Sequence, residues 1–187
     1  MDLLSIIQLV LFFIGNIFLI LVSNKSLRSP KVHGFYRFFV FEFSLTLVLL
    51  NIPYWFTDPF SFLQIISWVL LIFSIYLVFQ SFYSLKKFGG NRKREKESAN
   101  FNFEDTTNLV RDGIYKYIRH PMYGSLLFLA PGAMFKYISI ITVSLAMVIF
   151  VFLIITAKIE EKENLKYFGY DYSDYMKKTK MFIPFII

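Results

Sequence analysis

Long apolar runs separated by short polar stretches dominate the pattern of this chain. Four runs are long enough to be membrane-spanning helices, and they cover residues 3–22, 36–56, 60–85 and 137–157. A helix rises about 1.5 Å per residue, so about 20 apolar residues cross a hydrocarbon core of about 30 Å. The start Met1-Asp2 lacks the basic residues of a cleavable signal peptide, and we therefore expect 3–22 to be a retained span.

A fifth apolar segment, residues 121–135, is short and contains Pro131-Gly132. This length is small for a straight span, so the segment predicts a broken or tilted element. Together the runs predict an all-α membrane protein with about five transmembrane helices and a C-terminal cytoplasmic amphipathic helical segment. Because they leave no room for a separate soluble domain, residues 1–187 are expected to form a single membrane domain. Three N-terminal helices would occupy 1–85, and 86–187 would form a functional C-terminal half.

The basic residues predict the orientation of these spans. Nineteen of the 20 Lys and Arg residues lie in three alternate loops, and only Lys136 lies elsewhere. Because cytoplasmic loops carry an excess of basic residues, we expect the N-terminus outside and the C-terminus inside. That orientation requires an odd number of crossings, which supports counting 121–135 as a span. The net charge of +7 is then explained by topology and anionic membrane lipid, without a nucleic-acid partner.

The composition excludes several kinds of site. The chain is 56% hydrophobic and 20% aromatic, and it contains no cysteine. Disulfides, Cys-ligated zinc and thiol nucleophiles are therefore excluded. Two histidines without an H-E-x-x-H pattern give no support for a metal site. Gly89-Gly90 does not form a phosphate-binding glycine loop, and the Rossmann fingerprint is absent.

Polar chemistry is concentrated in two segments on the predicted cytoplasmic side, of which the first is GIYKYIRHPMYGS at 113–125. Pro121 can open a helix, because the first helical turn leaves its amide protons unpaired anyway. Arg119 and His120 would then lie at the mouth of a short helix interrupted by proline. One interpretation is interfacial anchoring at the level of the lipid headgroups. The other is that these residues form one wall of a binding site.

The second segment covers residues 156–184, and it places Glu160 and Glu161 about one turn outside the membrane. One interpretation is a solvated helix face balanced by neighbouring lysines. The other is that a carboxylate from this segment and the cationic patch of the first bind one zwitterionic ligand. Apolar residues at three- and four-residue steps predict an amphipathic tail, with Gly169 as a break between two helices.

Glu42 is the one acidic residue inside the second apolar run. A carboxylate about two turns inside a span is a candidate functional residue, since burial without a partner is costly. The alternative is that its side chain reaches towards the headgroups or pairs with Arg37.

The two polar segments resemble a known superfamily. LVRDGIYKYIRHPMYGS, followed about 40 residues later by EEKENLKYFGYDYSDYMKKTKMFIP, is similar to the isoprenylcysteine carboxyl methyltransferase and phospholipid methyltransferase superfamily. The family pattern is roughly L-V-x-x-G-x-Y-x-x-x-R-H-P-x-Y, then E-E-x-x-L, F-G-x-x-Y-x-x-Y and a late I-P. The similarity covers residues 108–187, whereas residues 1–85 agree only in being transmembrane.

The resemblance implies an integral membrane enzyme that transfers a methyl group from S-adenosylmethionine to a lipophilic small molecule. The cofactor would bind in a cytoplasmic pocket, and the acceptor would arrive from the membrane lipid through a gap between helices. By motif position, the implied cofactor-binding residues are Leu109, Val110, Tyr115, His120, Pro121, Tyr123 and Glu160. Glu42, Arg119 and Glu161 are the candidate catalytic residues. No metal is implied.

Two positions depart from the family pattern. The prenylcysteine enzymes carry an arginine four residues before the cofactor-binding glutamate, and this chain has Thr156 there. A histidine that the family often has before the Leu-Val pair is replaced by Thr107. A carboxylate or thiolate acceptor needs no general base, whereas an amine acceptor must lose a proton. We therefore expect an isoprenylcysteine carboxyl methyltransferase-like reaction, with methylation of a phospholipid amine or of a thiol as the alternatives.

Two other classes of function compete with a methyltransferase. Sterol reductases share a related C-terminal fold but use NADPH, and this chain offers no specific clamp for a 2′-phosphate. A non-catalytic membrane protein with an amphipathic tail would bind neither cofactor. Binding of S-adenosylmethionine or its demethylated product separates these three hypotheses.

Overall fold

The computed structural model of the protein describes residues 3–90 and 106–186, and this part of the chain is mostly helical. Its α-helices are α1 (Leu3–Leu27), α2 (His33–Asn51), α3 (Phe62–Phe88), α4 (Pro121–Met134), α5 (Ile140–Phe168) and α6 (Tyr170–Lys178). Short 3₁₀ turns follow α2 at Ile52–Tyr54 and precede α4 at Gly113–Lys116. The predicted all-α membrane fold is thereby confirmed.

Four of these helices are long and apolar enough to cross a membrane: α1, α2 with the turn that follows it, α3 and α5. Helix α4 has 14 residues, which corresponds to a rise of about 21 Å. It lies antiparallel to α3, because Gly124 near its start packs against Leu77 and Lys136 just beyond its end accepts a hydrogen bond from Gln64. The short fifth segment therefore runs beside α3 from the level of Leu77 to the level of Gln64, and it continues as a helix through Pro131.

The core lies between α2, α4 and α5. Val40 and Leu47 of α2 pack with Ile149 and Leu153 of α5, and two alanines of α4 complete this cluster. Helix α1 packs against α2 and exposes most of its apolar side chains. Such exposure is expected of a helix that faces hydrocarbon rather than water.

Lys136, the outlier of the charge pattern, is buried at the end of the bundle opposite the two polar segments. Its ammonium lies 3.5 Å from the centre of the Trp68 ring and donates to Gln64 Oε1 at 3.0 Å. A cation on an aromatic face with a hydrogen-bond acceptor is satisfied inside the protein. This lysine therefore has a packing role, whereas the basic residues at 92–96 lie outside the described residues.

Candidate functional site

A cleft opens where α3 and α5 end and α4 begins. Its empty volume is about 640 Å³, part of it open to solvent, and typical ligand pockets have about 300–1,000 Å³. Several residues that the sequence singles out line it together: Leu109, Val110, Tyr115, Arg119, His120, Tyr123 and Glu160. Other lining residues are Leu85, Thr106, Met122, Asn164, Phe168, Tyr172 and Tyr175. The fold thus brings the two polar segments to opposite walls of one cleft.

Backbone pairing with the C-terminal segment fixes the wall that carries His120. The N–H groups of Arg119 and His120 donate to the carbonyls of Lys180 and Met181 at 2.8 and 3.0 Å. Pro121 then begins α4, where a residue without an N–H loses no hydrogen bond. Pro121 itself is fully buried, so it orients the wall.

A turn at Gly113 brings the start of the segment that carries His120 against α3. Gly113 has a φ of +64°, a conformation that side chains with a Cβ rarely adopt. A Cβ at this position would lie 2.3 Å from Ser84 Oγ. Gly113 therefore allows both the turn and the close approach of the two segments, which explains the glycine in the motif.

Glu160 places a carboxylate at the cleft surface beside two rings. Its Oε2 accepts a hydrogen bond from the Tyr123 hydroxyl at 2.5 Å, and its Oε1 lies 3.8 Å from His120 Nδ1. The rings of His120 and Tyr123 stack with their centroids 5.4 Å apart. About 24% of the Glu160 side chain stays exposed, so this carboxylate is anchored and still accessible to a cationic ligand.

Arg119 and Glu161 are occupied by each other and by the backbone. Arg119 Nε donates to Glu161 Oε1 at 2.7 Å, and both side chains are nearly buried. Arg119 Nη1 donates to the carbonyl of Thr179 and to that of Met176 at 3.3 Å. These contacts attach α5 and the C-terminal segment to the cleft wall, whereas the sequence suggested a catalytic role for both residues.

Tyr172 and Tyr175 of α6 also line the cleft, next to the two walls formed by the polar segments. The Tyr175 hydroxyl donates to the carbonyl of Tyr115 at 2.6 Å, which joins α6 to the motif segment. Burial raises the pKa of Tyr175. Burial, together with the charges of Glu160 and Glu161, raises the pKa of Tyr172. Both phenols therefore stay neutral at physiological pH.

Glu42 lies on α2 and is not among the residues that line the cleft. Its Oε1 is buried and has no hydrogen-bond partner among the described residues. Thr156, at the position of the family arginine, is completely buried, and its hydroxyl donates to the carbonyl of Phe152 in its own helix. Helix α5 therefore presents no cation at this position.

Sequence reasoning missed a contact between α2 and α5. His33 Nδ1 lies 2.6 Å from Glu163 Oε2, and these residues are separated by 130 positions. Both His33 and Arg37 act electrostatically on Glu160. The available signal was that His33 is one of two histidines in the chain and follows a basic loop.

Comparison with known proteins identifies the family of this arrangement. A sequence model of a family described as phospholipid methyltransferase matches residues 62–171, which is more than half of the chain. The matched range contains α3 to α5 and most of the cleft, whereas His33 and Arg37 lie outside it. No curated protein and no solved structure matches the chain.

Proposed function

This chain belongs to the phospholipid methyltransferase family, and we propose that it transfers a methyl group from S-adenosylmethionine to a lipophilic acceptor. The membrane methyltransferase class follows from the family. The methyl donor, the acceptor and the roles of single residues are our proposals. We assign the donor to the cleft around Glu160 and the acceptor to its membrane side.

The observation that carries this proposal is the chemistry of the cleft. S-adenosylmethionine supplies an electrophilic methyl group on a sulfonium, and its amino-acid part is a zwitterion. An accessible carboxylate at Glu160 suits its ammonium. The faces of Tyr123, Tyr172 and Phe168 suit a sulfonium and an adenine ring. Leu109 and Val110 add apolar lining, and the neutral phenols introduce no competing anion.

A lipophilic acceptor is supported by apolar grooves on the membrane side of the helices. One groove between α1, α2 and α4 has an empty volume of about 1,140 Å³. Its lining includes Phe18, Phe41, Val48 and Leu126, and almost all of it is hydrocarbon. A lipid chain can lie there without leaving a polar group unpaired, so the acceptor can approach from within the bilayer.

Among the possible acceptors, we favour the amine of a phospholipid headgroup. The description of the matched family names phospholipids as the methyl acceptors. The nucleophile that can be methylated in a phospholipid is a headgroup amine. An isoprenylcysteine-like acceptor carries a carboxylate, and the buried Thr156 supplies no charge for it. A thiol is the remaining alternative, and it would need neither a cation nor a base.

Ligand binding by the purified protein in detergent tests the proposed donor. We expect S-adenosylhomocysteine to bind in a calorimetric titration, and Glu160→Gln to weaken it about 10- to 100-fold, because a charged hydrogen bond is worth about 1.5–3 kcal/mol. Asp171→Asn removes the same charge from an exposed position and should leave the affinity unchanged. Binding of NADPH instead, or of neither ligand, would refute the proposed donor.

The proposed orientation places the cleft on the cytoplasmic side. Because the chain has no cysteine, single cysteines can be introduced at exposed positions without background. In intact cells, a membrane-impermeant thiol reagent should label Phe60→Cys and spare Lys178→Cys. The reverse labelling pattern would contradict the orientation.

A further inference from the structure

The start of α2 holds a histidine in a fixed orientation. His33 is fully buried, and Glu163 of α5 contacts it twice. One carboxylate oxygen accepts from the His33 backbone N–H at 2.9 Å, and the other lies 2.6 Å from Nδ1. A carboxylate can only accept, so this contact assigns the Nδ1 proton to the imidazole. In the neutral imidazole, Nε2 then carries the lone pair.

The other ring nitrogen of His33, Nε2, is the unusual feature of the His33–Glu163 pair. Nε2 of His33 is buried and has no hydrogen-bond partner within residues 3–90 and 106–186. Leaving a buried acceptor unpaired costs about 1–3 kcal/mol, and such atoms in a folded protein require an explanation. A histidine whose one nitrogen is held by a carboxylate and whose other is free has the arrangement of a general base.

The position of His33 relative to the cleft fits such a role. His33 does not line the cleft, but its partner Glu163 follows the cleft residue Glu160 by three residues, about one turn, on α5. Glu160 in turn contacts His120 and Tyr123 in the cleft. His33 also begins α2 directly after a loop with two basic residues, which is the expected depth of lipid headgroups.

We propose that His33, oriented by Glu163, accepts the proton of the acceptor's amine during methyl transfer. This inference rests on the proposed function and deepens it by requiring an amine acceptor. The headgroup ammonium gives one proton to His33 Nε2, and its nitrogen lone pair forms a bond to the methyl carbon. The carbon–sulfur bond breaks, and its electron pair stays on sulfur, which becomes a neutral thioether. The imidazolium returns the proton to water before the next turnover.

His33 serves this step better than Glu42, the acid that the sequence suggested. Glu42 lies nine residues further along α2, or about 13 Å deeper in the helix. Neither residue lines the cleft, but Glu163 fixes the His33 ring, whereas the buried Glu42 Oε1 has no hydrogen-bond partner among the residues that the structure describes. The ammonium of a headgroup would have to leave the interface to reach Glu42, whereas His33 lies where the helix enters the membrane.

The groups that face His33 determine how its proton affinity responds to changes. Burial opposes the imidazolium most strongly, Glu163 and Glu160 of α5 stabilise it, and Arg37 of its own helix also opposes it. The side chain of Glu163 is about 34% exposed, so the carboxylate keeps contact with solvent. Glu163→Gln retains an acceptor for Nδ1 but removes the negative charge, which separates orientation from electrostatics.

His33→Asn tests the proposal, because asparagine retains a donor near Glu163 and lacks the second ring nitrogen. The probe is phosphatidylethanolamine in mixed micelles with radiolabelled S-adenosylmethionine. We expect the transfer rate to fall about 10²- to 10⁴-fold, the usual range for loss of a general base. The wild-type rate should rise with pH as the His33 imidazole loses its proton, and the variant should lack this rise. Lys31→Gln, an exposed neighbour, serves as the matched control.

The affinity for S-adenosylhomocysteine separates chemistry from structure. It should be unchanged in His33→Asn and Glu163→Gln, and added imidazole should restore part of the His33→Asn rate. If the affinity and the rate fall together, His33 has a structural role and the proposal is wrong. Wild-type protein that binds S-adenosylhomocysteine but does not methylate phosphatidylethanolamine also overturns it, while the proposed donor stands. Absence of binding in the wild type would refute the proposed function itself.

Discussion

Two faces meet at Glu160, and they differ in how the chain builds them. The cofactor face consists of residues 106–123 and 160–175, which are short polar segments rich in aromatic side chains. The α2 face consists of His33 and Arg37, whose charges act on Glu160 because α2 packs against α5. The family model covers nearly all of the first face and none of the second. The proposed donor site therefore lies almost wholly within the matched range, whereas the two residues of the proposed acceptor side lie outside it.

The largest effect on the cofactor face is expected from Gly113→Ala. The new Cβ would lie 2.3 Å from Ser84 Oγ at a φ of +64°, so the turn between α3 and the motif segment cannot persist unchanged. We expect at least a tenfold loss of S-adenosylhomocysteine affinity, measured by calorimetry. Gly15→Ala is the control, because the Cβ there would meet only the flexible end of Leu45. Equal affinities in both variants would show that this turn does not shape the cleft.

Arg119→Lys should loosen the same face without removing its charge. A lysine cannot donate at once to Glu161 and to two backbone carbonyls as the guanidinium does. We expect a several-fold weaker affinity for S-adenosylhomocysteine. Faster amide hydrogen exchange at residues 180–182 should accompany it. An unchanged exchange rate together with a lower transfer rate would instead support a catalytic role for Arg119.

A smaller effect is expected where α6 joins the motif segment. Tyr175→Phe removes the hydroxyl that donates to the carbonyl of Tyr115, and with it a buried hydrogen bond worth about 0.5–1.5 kcal/mol. Thermal unfolding in detergent should therefore begin at a lower temperature. Tyr170→Phe makes the same chemical change at a side chain that is 79% exposed and should not alter stability. If the two variants unfold alike, the Tyr175 contact does not stabilise the cleft.

The smallest predicted effect concerns alkaline pH. The pKa of Tyr172 and that of Tyr175 are raised by burial from the ordinary value of 10.0, so the folded protein retains two protons that the unfolded chain loses. Stability linked to these groups is complete below about pH 10 and decreases as the pH rises above it. Melting temperatures at pH 9 and pH 11 should therefore differ less in Tyr172→Phe than in the wild type. An identical difference would show that the buried phenol does not cause the loss.

The sequence predicts local features of this molecule well and its long-range contacts poorly. Pro121 begins a helix and Gly169 separates two helices because each acts through its own backbone. The pairing of His120 with Met181 and the contact of His33 with Glu163 join residues about 60 and 130 positions apart. Such contacts depend on helix packing, which hydrophobic spacing does not specify. The role of Glu42 and the binding roles of the cleft residues remain predictions.

The central claim is that the two faces perform separable tasks, and single-turnover transfer to phosphatidylethanolamine at saturating S-adenosylmethionine tests it most directly. Saturation should restore Glu160→Gln to within a few-fold of the wild-type rate, because that variant is expected to lose mainly cofactor affinity. His33→Asn should remain at least about 100-fold slower, because excess cofactor cannot replace a missing proton acceptor. If saturation restores both variants or neither of them, the division between a donor face and an acceptor face is contradicted.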